Sequence, residues 1–381
     1  MALTLGSCGL FPPIGDLETR RLSVEWATPI YELEPFAYHA VEEGQPLYLR
    51  SMATPVAGLV VVPSKDRYVR GLDAGSGRIV WELKTGGPNA ARPIAVGSED
   101  VVFGSMDGHV YRVNVRNGLP KWVSAQPASA VTASPSLYLG PTGSPDDDKA
   151  TVFVTAIDGR VTALDLAAGK QRWEQQRPIE TELSVTGQAG ATVFGDSVIT
   201  GFADGMVVAY AVEDGATLWS SPLGGDKKEF VDVDTTPLVV GSGKDALVVV
   251  GSFKRGLFGL AAARGDVQWS IKGEGFLTGA VGDDGVVFVP QANGRVWAVE
   301  GDTGKVRWIA DLDSSWAGTP VLSQNYALVP AGSGLAVLDR GSGREHVRWT
   351  DGRSVRATPE LAYGSAYLVA SSGLVYALGI Y

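Results

Sequence analysis

The chain has 381 residues, of which 45% are hydrophobic and 19% are charged, a balance that is typical of a folded globular protein and excludes a disordered one. Its formal net charge of −10 disfavours nucleic acid as a partner, because an acidic surface repels a phosphate backbone. The only cysteine is Cys8, which excludes an intrachain disulfide.

The first predicted element is the segment of residues 1–21. Within it, residues 5–8 (Leu-Gly-Ser-Cys) resemble the bacterial lipobox, in which a signal peptidase cuts before a cysteine that then becomes lipidated. Seven residues without lysine or arginine precede Cys8, so a truncated signal and a chance cysteine both stay open. We interpret residues 1–21 as a truncated signal with lipobox and linker, with Cys8 as lipid anchor, and residues 22–381 as one folded domain.

A repeat that ends in tryptophan fills the rest of the chain. In one copy, residues 159–173, alternating apolar and polar residues predict a strand, and an Asp and a Gly then predict a hairpin turn. The next strand reaches a tryptophan, which is large and flat enough to fill the seam between neighbouring units. The tryptophans at this position are Trp26, Trp81, Trp122, Trp173, Trp219, Trp269, Trp308 and Trp349.

Each copy, with two strands upstream of it, predicts four short antiparallel strands, which is one propeller blade. One copy is divided between the termini, since Trp26 ends a copy whose beginning stands at residues 373–378. Pairing these two parts removes the open edge of an incomplete ring. We therefore predict an all-β fold, an eight-bladed β-propeller closed by pairing of its N-terminal strand with the C-terminal blade. An open solenoid does not explain the divided copy.

Motifs for catalysis and cofactor binding are missing from the sequence. It contains no GxSxG, GxxxxGK[ST] or GxGxxG pattern, and its three histidines show no metal-ligand spacing. Residues 143–149 form an acidic loop tip with fewer ligand positions than a calcium loop needs. We therefore predict no metal, no cofactor and no enzymatic activity, although paired carboxylates inside a propeller channel would escape detection by sequence.

The repeat, in the form Ala-x-Asp-x-x-x-Gly-x-x-x-Trp, resembles that of the pyrroloquinoline-quinone dehydrogenases, which are longer and typically carry adjacent cysteines and a calcium site. It is more similar to the BamB family, the propeller lipoproteins of the bacterial outer-membrane β-barrel assembly complex. Residues 231–237 (Val-Asp-Val-Asp-Thr-Thr-Pro) are similar to a family segment whose two aspartates are implicated in binding BamA, the barrel-forming subunit. That resemblance assigns the role to Asp232 and Asp234.

Residues 183–187 (Leu-Ser-Val-Thr-Gly) fall where the family has an L-x-L-R-G segment that contributes to the same contact. This resemblance adds Leu183, Val185 and Thr186 as partner-binding residues, with Thr186 in place of the family's arginine. Two alternatives stay open. Asp232 and Asp234 could belong to a capped turn before a strand, and Leu183 and Val185 could serve ordinary strand packing.

The resemblance implies a non-catalytic scaffold on the periplasmic face of the outer membrane, anchored by lipid on Cys8 and bound to the periplasmic part of BamA. Gly9, which follows the cysteine, suits outer-membrane sorting. Nascent outer-membrane barrel segments are further expected partners, bound by strand addition. The alternatives are a quinone- or calcium-dependent propeller enzyme, and an interaction or sensor propeller of another envelope system.

Overall fold

The computed structural model describes residues 22–31, 44–50, 58–125, 129–177, 189–223, 232–332, 334–350 and 354–380. In these ranges, thirty-two β-strands form eight four-stranded antiparallel sheets, and one 3-10 turn lies at Gly243–Asp245. The predicted eight-bladed all-β propeller is confirmed. No helix within this part of the chain is long and apolar enough to span a membrane.

Each blade runs from an inner strand at the central channel to an outer strand at the rim. Blade 1 contains β2 (Leu47–Leu49), β3 (Leu59–Pro63), β4 (Tyr68–Asp73) and β5 (Ile79–Lys84). Blade 2 contains β6 (Ile94–Val96), β7 (Asp100–Gly104), β8 (Val110–Asn114) and β9 (Pro120–Val123). Blade 3 contains β10 (Ser136–Tyr138), β11 (Thr151–Thr155), β12 (Arg160–Asp165) and β13 (Gln171–Gln176). Blade 4 contains β14 (Thr192–Phe194), β15 (Ser197–Gly201), β16 (Met206–Ala211) and β17 (Thr217–Pro222).

The second half of the ring repeats this order and returns to the N-terminus. Blade 5 contains β18 (Leu238–Val240), β19 (Leu247–Ser252), β20 (Gly256–Ala261) and β21 (Val267–Ile271). Blade 6 contains β22 (Ala280–Val281), β23 (Val286–Pro290), β24 (Arg295–Glu300) and β25 (Val306–Asp311). Blade 7 contains β26 (Val321–Leu322), β27 (Tyr326–Ala331), β28 (Gly334–Asp339) and β29 (Glu345–Thr350). Blade 8 contains β30 (Glu360–Ala362), β31 (Ser365–Ala370), β32 (Leu374–Ile380) and β1 (Leu22–Pro29).

Burial changes along each blade and explains the sequence pattern. All residues of β3, β11 and β27, which are second strands, are buried, and these strands are mostly apolar. In β25, an outer strand, exposed residues alternate with partly buried ones, as expected when one face is packed and the other solvated. The core therefore lies between blades, around the second and third strands.

The motif tryptophans fill the seams, as predicted. The indole Nε1 of Trp173, on blade 3, donates to the carbonyl oxygen of Val212, on blade 4, at 2.9 Å. Gly215, in the same turn as Val212, has a φ of +74°, and a Cβ there would lie 2.7 Å from the Trp173 ring. Trp26, Trp81, Trp122, Trp219, Trp269 and Trp308 donate in the same way to the next blade. The glycine of the repeat is therefore required twice, by its backbone angle and by the indole that lies against it.

Gly215→Ala should consequently cost more stability than Gly195→Ala, its matched control. Gly195 also has a positive φ, of +56°, but a Cβ there would meet nothing within 4 Å. We expect Gly195→Ala to lose about 1 kcal/mol from the left-handed backbone alone, and Gly215→Ala to lose about 2–4 kcal/mol by adding overpacking against Trp173. Denaturant unfolding of both variants measures this difference, and equal losses would contradict the role given to the seam.

The ring closes through pairing between β1 and β32, which joins the two termini. The register runs from Leu22 opposite Ile380 to Pro29 opposite Leu374, with a bulge near Trp26. The Trp26 indole then donates to the carbonyl oxygen of Ala74 in blade 1, at 2.9 Å. The divided repeat read from the sequence is thus confirmed as the closing blade.

The antiparallel strands divide the surface into two faces. We call the upper face the one that carries the connections between blades and the turns between second and third strands. The lower face carries the turns between first and second strands and between third and fourth strands. Residues 232–237, which enter β18 from the blade 4 side, therefore lie on the upper face.

Candidate functional site

Residues 232–237 form one of the upper-face connections, and their backbone makes bonds that other blades also make. Val233 N–H donates to the carbonyl oxygen of Phe202 at 3.1 Å, and Phe253 N–H donates to that of Asp232 at 2.9 Å. In the preceding blades the same two bonds are made by Val131 N–H, which donates to Ser105 O, and by Ile157 N–H, which donates to Ala130 O. An alanine thus supports this backbone as well as an aspartate does.

Thr235 holds the segment to its own blade, and Thr236 ties it to both neighbouring blades. Thr235 Oγ1 accepts from Gly251 N–H at 2.7 Å. Thr236 Oγ1 accepts from Gly190 N–H at 3.0 Å, and Thr236 N–H donates to Thr278 Oγ1 at 2.9 Å. These contacts connect the entries of the inner strands of blades 4, 5 and 6. The Thr-Thr-Pro part of the segment is therefore structural.

The carboxylates differ in their exposure. Asp232 is only 1% exposed, whereas Asp234 is partly exposed. Alternation along an extended chain would point both side chains the same way, toward solvent or the channel mouth, but only Asp234 reaches the surface. Burial of Asp232 beneath the surface means that a partner reaches Asp234 first, and that Asp232 acts on it from within the protein.

The electrostatic state of Asp234 follows from this placement. Burial, and to a smaller extent the negative charge of the neighbouring Asp232, together raise the pKa of Asp234 to about 7. An ionised Asp234 is therefore costly in the isolated protein, and a cation brought close to it would relieve that cost. Chemically, this is a site that favours a lysine or arginine of a partner.

Several predicted site residues lie outside the described residues. Leu183, Val185 and Thr186 belong to residues 178–188, and Cys8 belongs to residues 1–21. Residues 178–188 are flanked by Arg177, after β13, and by Ala189, before β14. These two flanking residues lie on the upper face, at the blade connection that precedes the one with Asp234.

A second upper-face feature was missed by sequence reasoning. Glu360, in blade 8, accepts from Arg92, in blade 2, with Nη2 and Oε2 2.5 Å apart, and its Oε1 accepts from Tyr48 N–H at 3.3 Å. This contact spans blade 1 and joins residues 268 positions apart. No local pattern marks such a pair, because its partners meet only when the ring has closed.

The described part of the chain offers no cluster of three or more His, Cys, Asp or Glu side chains that could hold a metal ion. The acidic tip at residues 143–149 is instead closed by its own hydrogen bonds. Asp147 accepts from the Thr142 hydroxyl at 2.6 Å and from Lys149 N–H at 2.8 Å. These bonds to the charged form lower the pKa of Asp147 to about 2.

Comparison with known proteins finds a family match over most of the chain. The family described as "Outer membrane protein assembly factor BamB" matches residues 65–310 and 294–380. The BamB of Burkholderia pseudomallei is 29% identical over 333 residues, which cover 84% of this chain and 82% of that protein. The BamB of Yersinia pestis is 24% identical over 343 residues, covering 84% and 81%.

Solved structures show the same fold at low sequence identity. The crystal structure of BamB from Moraxella catarrhalis has a TM-score of 0.71 and 20% identity, and the match covers 89% of this chain and all of that one. Quinohemoprotein alcohol dehydrogenase from Comamonas testosteroni has the same TM-score with 12% identity, covering 94% of this chain and 76% of that one. Because an enzyme and an assembly factor share this architecture, the fold by itself does not assign a function.

Proposed function

The chain belongs to the BamB family of outer membrane protein assembly factors, and we propose that it is a scaffold whose upper face binds the periplasmic part of a BamA-like barrel assembly protein. As a member of this family it is an assembly factor and not an enzyme. In this proposal the chain assists the insertion of outer-membrane barrel proteins by holding its partner, and performs no chemical step.

The observation that carries the proposal is the carboxyl group of Asp234. The equivalent of Asp234 in the connection before blade 3 is Thr132, two residues after Ala130, so that connection makes the same two backbone bonds without an acid at this position. Ionisation of Asp234 is costly because the residue is largely buried, and the connection before blade 3 has a threonine instead. Such an acid is better explained by a role in binding than by a role in folding. The partner group that suits it is a basic side chain, with Asp232 as the buried charge that strengthens this preference.

Two further parts of the proposal concern the termini and neighbouring residues. Residues 1–21 would carry the lipid anchor on Cys8, which would hold the folded domain, residues 22–381, at the periplasmic side of the outer membrane. Leu183, Val185 and Thr186 would extend the contact from the neighbouring blade connection. Nascent barrel segments would be secondary partners.

Capture of the partner tests the proposal. The Asp234→Arg variant should retain less than about one tenth of the BamA-like protein that the wild type co-purifies from the native envelope, because it places a cation against the partner's cation. Asp148→Arg is the matched control, since it reverses one exposed carboxylate on the lower face. Both variants should keep the cooperative unfolding of the wild type.

Undiminished capture by Asp234→Arg would remove the site assignment. Loss of capture by both variants would point to a general effect of the reduced negative charge. A buried substitution such as Asp232→Asn is useful as a second variant, and we expect it to weaken capture less than Asp234→Arg does.

A further inference from the structure

A cleft of about 690 Å³ lies on the lower face, across the end of blade 4. Its volume falls within the range of about 300–1,000 Å³ that is usual for ligand sites. Apolar side chains that line it include Phe194, at the end of β14, and Leu218 and Trp219, on β17. Lys149, from blade 3, and Glu213, from blade 4, add opposite charges.

One wall of the cleft is built by an unusually long connection. Between β10 and β11 the chain runs through residues 139–150, whereas the equivalent turn of blade 4 is residues 195–196. Asp147 orders this connection through its bonds to Thr142 and Lys149, and Arg172 Nη2 contacts the carbonyl oxygen of Ala150 at 3.3 Å. The wall is thus held in place by the protein's own hydrogen bonds.

Leu218 is an apolar residue at a position where most blades have a polar one. It directly precedes the motif tryptophan of blade 4 and is 55% exposed. The equivalent residues with polar side chains are Glu25, Lys121, Arg172, Gln268, Arg307 and Arg348. Only blade 1 also has an apolar residue there, Val80. Because Leu218, Phe194 and Trp219 line the same cleft, the exposed leucine belongs to a contiguous apolar surface, which is the kind that a binding partner covers.

The charges of the cleft indicate what that molecule is. Lys149 Nζ and Glu213 Oε1 are 3.8 Å apart, with the two side chains 56% and 85% exposed. A pair this exposed contributes about 0–1 kcal/mol, so a ligand with its own acidic and basic groups can replace it at little cost. A lipid chain would cover the apolar residues but offer no group to Lys149 or Glu213, whereas a peptide with an acidic and a basic side chain complements both charges.

We propose that this cleft binds an extended peptide segment, which places an apolar side chain against Phe194, Leu218 and Trp219 and flanking charged side chains on Lys149 and Glu213. The site lies on the face opposite to Asp234. It therefore goes beyond the proposed partner contact, and either proposal can fail without the other.

Calorimetric titration with defined peptides tests this site. Acetyl-Glu-Leu-Phe-Lys-amide is the probe, and acetyl-Glu-Ser-Ser-Lys-amide keeps its charges without its apolar side chains. We expect the first peptide to bind at least about tenfold more tightly, since burying one large apolar side chain contributes about 1.5–3 kcal/mol.

Variants locate the binding in the cleft. Leu218→Lys installs a residue type found at this position in blade 2 and should weaken binding of the first peptide about tenfold or more. Leu119→Lys makes the same exchange at a leucine that is 62% exposed in blade 2, and should change the affinity less than about twofold. Glu213→Lys should weaken binding without touching the apolar residues.

The proposal is overturned if the wild type does not bind the first peptide at about 1 mM. Equal affinity for both peptides, or an equal loss in Leu218→Lys and Leu119→Lys, would overturn it as well. Leu218→Lys should still capture the BamA-like protein normally, which separates this test from that of the upper face.

Discussion

Deleting residues 1–29 should abolish the cooperative thermal unfolding of this protein, whereas deleting residues 1–21 should leave its melting curve unchanged. The longer deletion removes β1, and with it seven residues that pair with β32 and the indole that fills the seam to blade 1. Blade 8 would keep three strands and expose the edge of β32 to solvent. This loss of stability should exceed that caused by any single substitution, because closure of the ring supports every seam at once.

Circular dichroism melts of the two deletion variants measure this effect. A synthetic peptide of residues 22–31, added to the longer deletion, should restore part of the cooperative transition by supplying β1 in trans. A longer deletion that unfolds with the same midpoint and sharpness as the full chain would show that the ring is stable without its closing strand.

The second large effect concerns the pH dependence of stability through Asp234. Its folded-state pKa of about 7 lies above the usual 3.8, so between these values the folded protein binds more protons than the unfolded chain. Stability is therefore greatest below about pH 4, decreases as the pH rises toward 7, and is constant above that. We expect the free energy of unfolding of the wild type to fall by about 3 kcal/mol between pH 5 and pH 8. In Asp234→Asn this decrease should be absent.

Denaturant unfolding of both proteins at these two pH values tests the sign and the size. Asp147→Asn is the matched control: its folded-state pKa is lowered to about 2, so its contribution is lost only below about pH 4. This control should show the same change between pH 5 and pH 8 as the wild type. A wild type that is equally stable at both values, or an Asp234→Asn variant with the same slope, would contradict the pKa of Asp234.

The blades could be predicted from the sequence because their determinants are local and repeated. Gly169 and Trp173 recur at the same spacing in most copies, since each turn glycine lies against the indole of the preceding blade. The closing strand could be predicted for the same reason, as Trp26 belongs to a copy that residues 373–378 begin. A repeat specifies contacts between neighbours, and a ring contains little else.

The site was less predictable, because burial there depends on residues from several blades. The sequence identified Asp232 and Asp234 through a resemblance, but not that Asp232 is buried while Asp234 reaches the surface. The lower-face cleft was missed, although Leu218 offered a signal, as a leucine where most other copies have polar residues. The contact between Arg92 and Glu360 left no signal, because it forms across the assembled ring.

The central claim, that Asp234 meets a cation of a BamA-like partner, is tested most directly by titrating the purified periplasmic part of that protein into this one at pH 6 and pH 8. Because Asp234 must be ionised to pair, the wild type should bind about tenfold more tightly at pH 8. Asp234→Asn should bind more weakly than the wild type at pH 8, by about tenfold or more, and with no change between the two pH values. Equal binding of the wild type and Asp234→Asn at pH 8 would contradict the claim.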